Sequence, residues 1–289
     1  LAEKLFNKNV AIISSLLLST SSFHIFYSQE LRPYSLPTMF ALISSYYFFQ
    51  LTKKEPPKKN SKNPNKIKTK LSIANLLGLY SSYLFPFLMI GQLSFAIISD
   101  FTKFKKLKST IQYLKAQTIP IVGFLFWIPT FLQQLEAGNL VRKNLPGWEK
   151  VVSTPQIKAI PLIFGKFIFG NLDIEPNQYF IIFGFLVLAP MTILLSIKLK
   201  NQFKNKEILA NQKNMLFLLS WLVLPLLTSW LVSFVVPVVS PKRLLYLLPA
   251  FYILISFLIT SSLNKTKFKT KKLDFTLGLT LLLAISLIN

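Results

Sequence analysis

Cysteine is absent from the 289 residues, which excludes a disulfide framework and any thiolate metal site. The single histidine, His24, excludes a multi-histidine metal centre within this sequence. Acidic residues number only ten. None sits at the centre of an apolar run, where many proton- or ion-coupled transporters carry one, and this argues against a pump. No glycine-rich phosphate loop occurs, so no nucleotide site is expected. The chain begins with Leu1 rather than Met, and no secretory signal precedes the apolar segments. We therefore read it as a fragment whose first helix and first outer loop lie upstream.

What is present is apolar and basic. Hydrophobic residues make up 52%, mean hydropathy is +0.48, and 33 lysines and arginines give a net charge of +23. Recurrent runs of Leu, Ile and Phe place the chain among all-α polytopic membrane proteins. The lysines fall in blocks between those runs, the pattern of cytoplasmic loops. No motif interleaves aromatics with them, so nucleic acid is not an expected partner.

Lys4 and Lys8 precede the run Val10 to Phe26. A polar hinge, His24-Ile-Phe-Tyr-Ser-Gln-Glu-Leu-Arg-Pro-Tyr-Ser35, leads into the run Ser35 to Leu51. Residues 52–70 are lysine-rich and too poor in apolar groups to fold alone, which reads as a flexible cytoplasmic loop and puts the hinge on the far side. Leu71 to Ser99 is apolar throughout, yet lysines flank it on both sides. One helix of that length would reach about 43 Å, beyond the ~30 Å hydrocarbon core. Two helices turning near Tyr80 to Pro86 satisfy both flanks, because proline disfavours helix just before it.

Gln117 to Gln134 crosses outward, bent by Pro120 and Pro129, into an outer loop spanning residues 135–176. That loop holds a Pro146-Gly147 turn, Trp148, and a segment, Ile160 to Gly170, too short to span. Lys166 among aromatics marks that segment as re-entrant or interfacial. Gln178 to Ile197, Asn214 to Val236, Leu244 to Leu263 and Leu273 to Asn289 complete about nine spans in a single transmembrane domain. Most of the 33 basic residues then fall on the inner side.

All three arginines, Arg32, Arg142 and Arg243, fall on the outer side, where their planar forks suit phosphate or carboxylate. Glu30 and Arg32 are two apart and so do not form a helical pair; each reaches its own partner or forms a plain solvated pair. Glu30 is suited to a sugar hydroxyl, a metal or an acceptor amine, and Arg32 to phosphate. Lys166, Lys242 and Arg243 suit phosphate or simple snorkelling. His24, Tyr27, Gln29, Tyr34 and Tyr83 are candidate pocket residues. The rival reading for the tyrosines, with Trp148 and Tyr246, is an aromatic belt at the membrane surface, and for His24 a structural histidine.

Tyr27-Ser-Gln-Glu-Leu-Arg-Pro-Tyr-Ser35 resembles the Tyr-Ser-Gln-Glu-x-Arg-x-Tyr-x signature of the protein mannosyltransferase and aminoarabinose transferase type of GT-C membrane glycosyltransferases. Leu79-Tyr-Ser-Ser-Tyr-Leu-Phe85 resembles their Tyr-Thr-His-Tyr-like turn. Pro237-Val-Val-Ser-Pro-Lys-Arg-Leu-Leu-Tyr-Leu-Leu-Pro249 resembles their late Pro-x-x-x-Pro-Arg-Tyr-Leu-Leu-x-x-x-Pro segment. Ser81-Ser82 stand where relatives often have histidine, and Lys242-Arg243 replace an Arg-Tyr pair.

The resemblance implies an inverting enzyme of a bacterial plasma membrane that transfers a sugar from a polyprenyl-phosphate donor on the extracytoplasmic face. The acceptor is unidentified. It implies that the catalytic base is an acidic residue in an outer loop upstream of residue 1, leaving Glu30 in a supporting role. It calls for no cofactor, though a divalent metal remains compatible with it. The donor's lipid tail would lie against the Phe- and Leu-rich helices, with its phosphate at Arg32, Lys166, Lys242 and Arg243. The alternatives are a polyprenyl-lipid carrier or flippase without enzymatic activity, or a structural membrane subunit.

Overall fold

The computed structural model describes residues 1–32, 34–52, 64–103, 107–145, 147, 156–170 and 208–263, with a few single positions between 189 and 196. Among the described residues the chain is helical and contains no strand. That is the expected outcome for segments this apolar, since a helix satisfies its own backbone hydrogen bonds. In chain order the helices are α1 (Ala2–Leu5), α2 (Lys8–Thr20), α3 (Ser22–Gln29), α4 (Ser35–Thr52), α5 (Pro64–Ser81) and α6 (Phe85–Lys103). They continue with α7 (Lys108–Leu125), α8 (Ile128–Asn144), α9 (Gln156–Phe169), α10 (Ile208–Val232), a 3-10 turn (Leu245–Leu247) and α11 (Leu248–Leu263).

The stretch Gln212–Val232 of α10 is long and apolar enough to cross a membrane alone. The pairs α2 with α3 and α7 with α8, bent by 51° and 63°, pass the same test if each is one broken span. Phe85–Phe101 and Leu245–Ser261 are shorter apolar helices. The expected spans Gln178 to Ile197 and Leu273 to Asn289, the lysines from 53 to 62, and Trp148 lie outside the described residues.

Each break has a local cause. Ser21 ends α2 and caps α3, its Oγ accepting from the His24 amide at 3.3 Å. The expected turn in Leu71 to Ser99 falls at residues 82–84. The Ser82 hydroxyl accepts from the Leu84 amide at 3.2 Å, and Pro86 sits in the first turn of α6, where a missing amide costs nothing. Pro120, expected to bend its helix, lies inside α7; the break comes at Phe126 and Trp127, with Pro129 opening α8.

Two expected loops are partly helical. Pro64 to Lys70, expected as part of the loop over residues 52–70, belongs to α5. Residues 135–144 belong to α8 and carry helix formers such as Leu135, Glu136 and Ala137 ahead of the Pro-Gly turn. In that turn Gly147 takes φ 89°, open to glycine at no steric cost. The segment containing Lys166 is a helix, α9, with Ala159, Leu162, Ile163, Phe164, Phe167 and Ile168 all buried. It packs against α3 and α10.

The core forms where α4, α6, α7 and α10 meet. Phe48, Phe95, Tyr113 and Phe217 stack edge and face at 5.1–5.9 Å between ring centroids. Gly91 lets α6 approach α10 closely: a Cβ there would lie 2.7 Å from the Ser220 carbonyl oxygen. A buried polar chain crosses the same region. Tyr113 meets Gln92 Oε1 at 3.1 Å, and Gln92 Nε2 donates to Ser44 Oγ at 2.8 Å. Ser44 donates to Asn75 Oδ1 at 2.5 Å, and Asn75 Nδ2 donates to Gln117 Oε1 at 2.8 Å. Four helices are thereby tied in one register.

The helix ends sort into two groups. At one end Lys213 Nζ donates to the Thr52 carbonyl at 3.1 Å, where a cation also meets the negative end of the α4 dipole. There too Lys4 Nζ donates to the Tyr46 hydroxyl at 2.9 Å. The other end gathers the hinge, the turn between α5 and α6, and the segment before α11.

Candidate functional site at the hinge end

The hinge between α3 and α4 is drawn tight by two successive i to i+2 hydrogen bonds. Arg32 N donates to the Glu30 carbonyl at 2.7 Å, and Tyr34 N to the Arg32 carbonyl at 2.8 Å. This alternation sends Leu31 fully into the open. It also brings Arg32 Nη1 to the Tyr34 hydroxyl, a long contact at 3.5 Å. Tyr27 packs its ring against Tyr34 edge-on, with centroids 5.4 Å apart.

The segment before α11 closes on the same ring. Lys242 Nζ lies 6.0 Å from the Tyr34 centroid, at the outer limit of a cation–π contact. The neighbouring Arg243 is close enough to Tyr34 and Arg32 for their charges to act on it. Burial draws its pKa down, Tyr34 opposes that, and the Arg32 cation adds to it. On Arg32 the Tyr34 hydroxyl, and behind it Glu30, favour the charged form and push its pKa up. Both guanidiniums stay protonated at any physiological pH.

Arg243 is also a structural residue. Its Nη1 donates to the Pro237 carbonyl at 3.0 Å and to Val238 at 3.4 Å, curling the segment around its own side chain. Nε and Nη2 form no hydrogen bond among the described residues. Two nearby oxygens are shielded from solvent without a partner: Glu30 Oε2 and the hydroxyl of Ser240. Sequence reasoning did not single out Ser240; two residues before Lys242, between Val239 and a proline, its only signal was its place in the turn.

The hinge and the segment before α11 thus unite Tyr27, Glu30, Arg32, Tyr34, Lys242 and Arg243. Gln29 is exposed at the end of α3, and His24 is half-buried one turn earlier. Lys166 rides on α9, which packs against α3, and its relation to the cluster rests on that helix pairing. Tyr83 belongs to a second aromatic group. Its hydroxyl accepts from Trp127 Nε1 at 2.9 Å and donates to Gln134 Oε1 at 2.6 Å, and its ring lies 4.9 Å from that of Phe131. Tyr246 links the two regions, its hydroxyl donating to the Leu84 carbonyl at 3.3 Å.

Chemically, the cluster offers three cations to an anion, flat tyrosine faces to a ring, and a shielded carboxylate oxygen to a hydroxyl donor. Among the described residues no group of three or more His, Asp or Glu side chains is placed to hold a metal ion. No family model matches the chain, and no curated protein or solved structure gives a significant match to it.

Proposed function

We propose that the chain is a membrane glycosyltransferase of the GT-C kind, taking a sugar from a polyprenyl-phosphate donor and transferring it at the extracytoplasmic surface. The observation that carries the reading is the convergence of Arg32, Lys242 and Arg243 on Tyr34, from segments some two hundred residues apart in the sequence. Cations that repel one another across a hinge are stabilised by an anion between them, and a lipid-linked phosphate at the membrane surface is such an anion.

The arrangement lends itself to a division of roles. Arg32, Lys242 and Arg243 neutralise the phosphate as the glycosidic bond breaks, which favours departure of the polyprenyl phosphate. Tyr27 and Tyr34 give the sugar an aromatic wall. The Glu30 carboxylate orients a sugar hydroxyl, a positioning task rather than the removal of the acceptor's proton.

The test uses the purified full-length protein in liposomes with a panel of polyprenyl-phosphate sugars. Release of polyprenyl phosphate coupled to sugar transfer supports the reading, and Arg32→Ala is expected to abolish it at normal protein levels. Donor that binds and crosses the bilayer without being consumed would instead establish the carrier reading.

A further inference from the structure

We infer that Arg142 is a positioning residue for the segment that carries Lys242 and Arg243, acting through the backbone without touching the ligand; its importance for donor binding rests on the function proposed above. Helix α8 departs from α7 at 63° and has no fully buried residue, so beyond the Phe131 ring against Tyr83 little packing holds it to the bundle. A Cβ added at Gly138, in mid-helix, would meet nothing within 4 Å. Two polar contacts add to the tether, one near the middle of the helix and one at its end. Gln134 accepts from Tyr83, and in the last turn Arg142 Nη1 donates to the Val235 carbonyl at 3.0 Å, across 93 residues of sequence.

Val235 opens the stretch of chain that most needs such a donor. After α10 ends at Val232, residues 237–239 make no backbone–backbone hydrogen bond among the described residues. Side chains supply what secondary structure does not. The Ser233 hydroxyl accepts from the Val239 amide at 3.3 Å, Arg243 takes the Pro237 and Val238 carbonyls, and Arg142 takes that of Val235. Two of the three arginines in the chain therefore bracket one short segment. The Arg243 fork is oriented by carbonyls two and three residues beyond the one Arg142 holds. Release of Arg142 loosens the platform on which Arg243 is aimed.

The sequence alone read Arg142 as one more outer cation for the ligand. The two roles separate experimentally. With full-length protein in detergent, amide hydrogen exchange over residues 233–245 is measured without ligand in wild type, Arg142→Met and Arg142→Lys. A short-chain polyprenyl phosphate then serves as the binding probe. Arg142→Met is expected to speed exchange at Val239 and Leu244 and to weaken binding about ten-fold, the size of one charge-assisted hydrogen bond. Arg142→Lys, which still donates to a carbonyl, is expected to restore most of both. In an Arg243→Lys background, Arg142→Met is expected to cost much less.

Weaker binding with unchanged exchange would make Arg142 a direct ligand contact and overturn the inference. Unchanged exchange together with unchanged binding overturns it as well. Full additivity with Arg243→Lys would do the same. If wild type binds no polyprenyl phosphate, the functional reading falls, and the exchange comparison still decides whether Arg142 holds the segment.

Discussion

Replacing Ser44 by alanine is expected to destabilise the bundle, while the same change one residue on, Ser45→Ala, is expected to leave it as stable or make it more so. Both hydroxyls are buried on α4 at 0% exposure. Ser44 accepts from Gln92 at 2.8 Å and donates to Asn75 at 2.5 Å, whereas Ser45 Oγ has no partner. Losing the Ser44 hydroxyl leaves Gln92 Nε2 and Asn75 Oδ1 buried and unpaired. Interhelical hydrogen bonds in bilayers contribute about 0.6 kcal/mol on average and up to about 1.7, so two come to about 1–3 kcal/mol. Ser45→Ala removes a desolvated hydroxyl that earns no bond, and any change is expected to favour the folded state by up to about 1 kcal/mol. Reversible unfolding in mixed micelles, followed by circular dichroism, measures both. Equal destabilisation by the two substitutions would show that the polar chain does not hold α4 to α6 as described.

Further expectations concern other contacts. Gly91→Val places a side chain against the Ser220 backbone and is expected to cost at least 2 kcal/mol by pushing α6 from α10, about the upper range for overpacking; a thermal midpoint within error of wild type would refute that close approach. Gly138→Ala, in the open middle of α8, is expected to raise stability by up to about 1 kcal/mol through helix propensity alone, read in the same unfolding assay. Tyr252→Phe removes the hydroxyl that reaches Ser21 Oγ at 3.1 Å and the Phe167 carbonyl at 2.7 Å, and is expected to cost about 1–2 kcal/mol by detaching α11 from the α3 cap and from α9. Because the chain has no cysteine, single-cysteine labelling reports topology directly. Ser28→Cys is expected to react from outside the cell and Lys66→Cys only after permeabilisation.

Some of this architecture was legible in the residue order, and the reasons are physical. The turn before Phe85 could be read because lysines flank both sides of a run too long for one crossing and Pro86 cannot follow a helix comfortably. The bend at Ser21 was missed because Val10 to Phe26 was read as one apolar run. Its signal was the Ser-Thr-Ser-Ser stretch at residues 19–22, any member of which can cap a helix. The break at Trp127 was attributed to Pro120 and Pro129, but only Pro129 opens a helix there; the Pro120 ring is accommodated inside α7.

The candidate site was legible in its parts and only partly in its assembly. The hinge residues stand together in sequence, so Glu30, Arg32 and Tyr34 could be grouped. That Lys242 and Arg243 close on the Tyr34 ring depends on tertiary packing, through the placement of the 3-10 turn against α4. Tyr83 fell in a different aromatic group because its partners, Trp127 and Gln134, come from the bend after α7. The chain of Ser44, Asn75, Gln92, Tyr113 and Gln117 left no sequence signal, since single polar residues in separate helices reveal their pairing only once the helices are packed.

The most direct test of the central claim is sugar transfer by the purified protein in liposomes, using radiolabelled polyprenyl-phosphate sugars and comparing wild type with Arg32→Ala and Arg243→Gln. The account predicts release of polyprenyl phosphate with transfer by wild type, and loss of that release in both variants at unchanged folding. Transfer by either variant at the wild-type rate would contradict it.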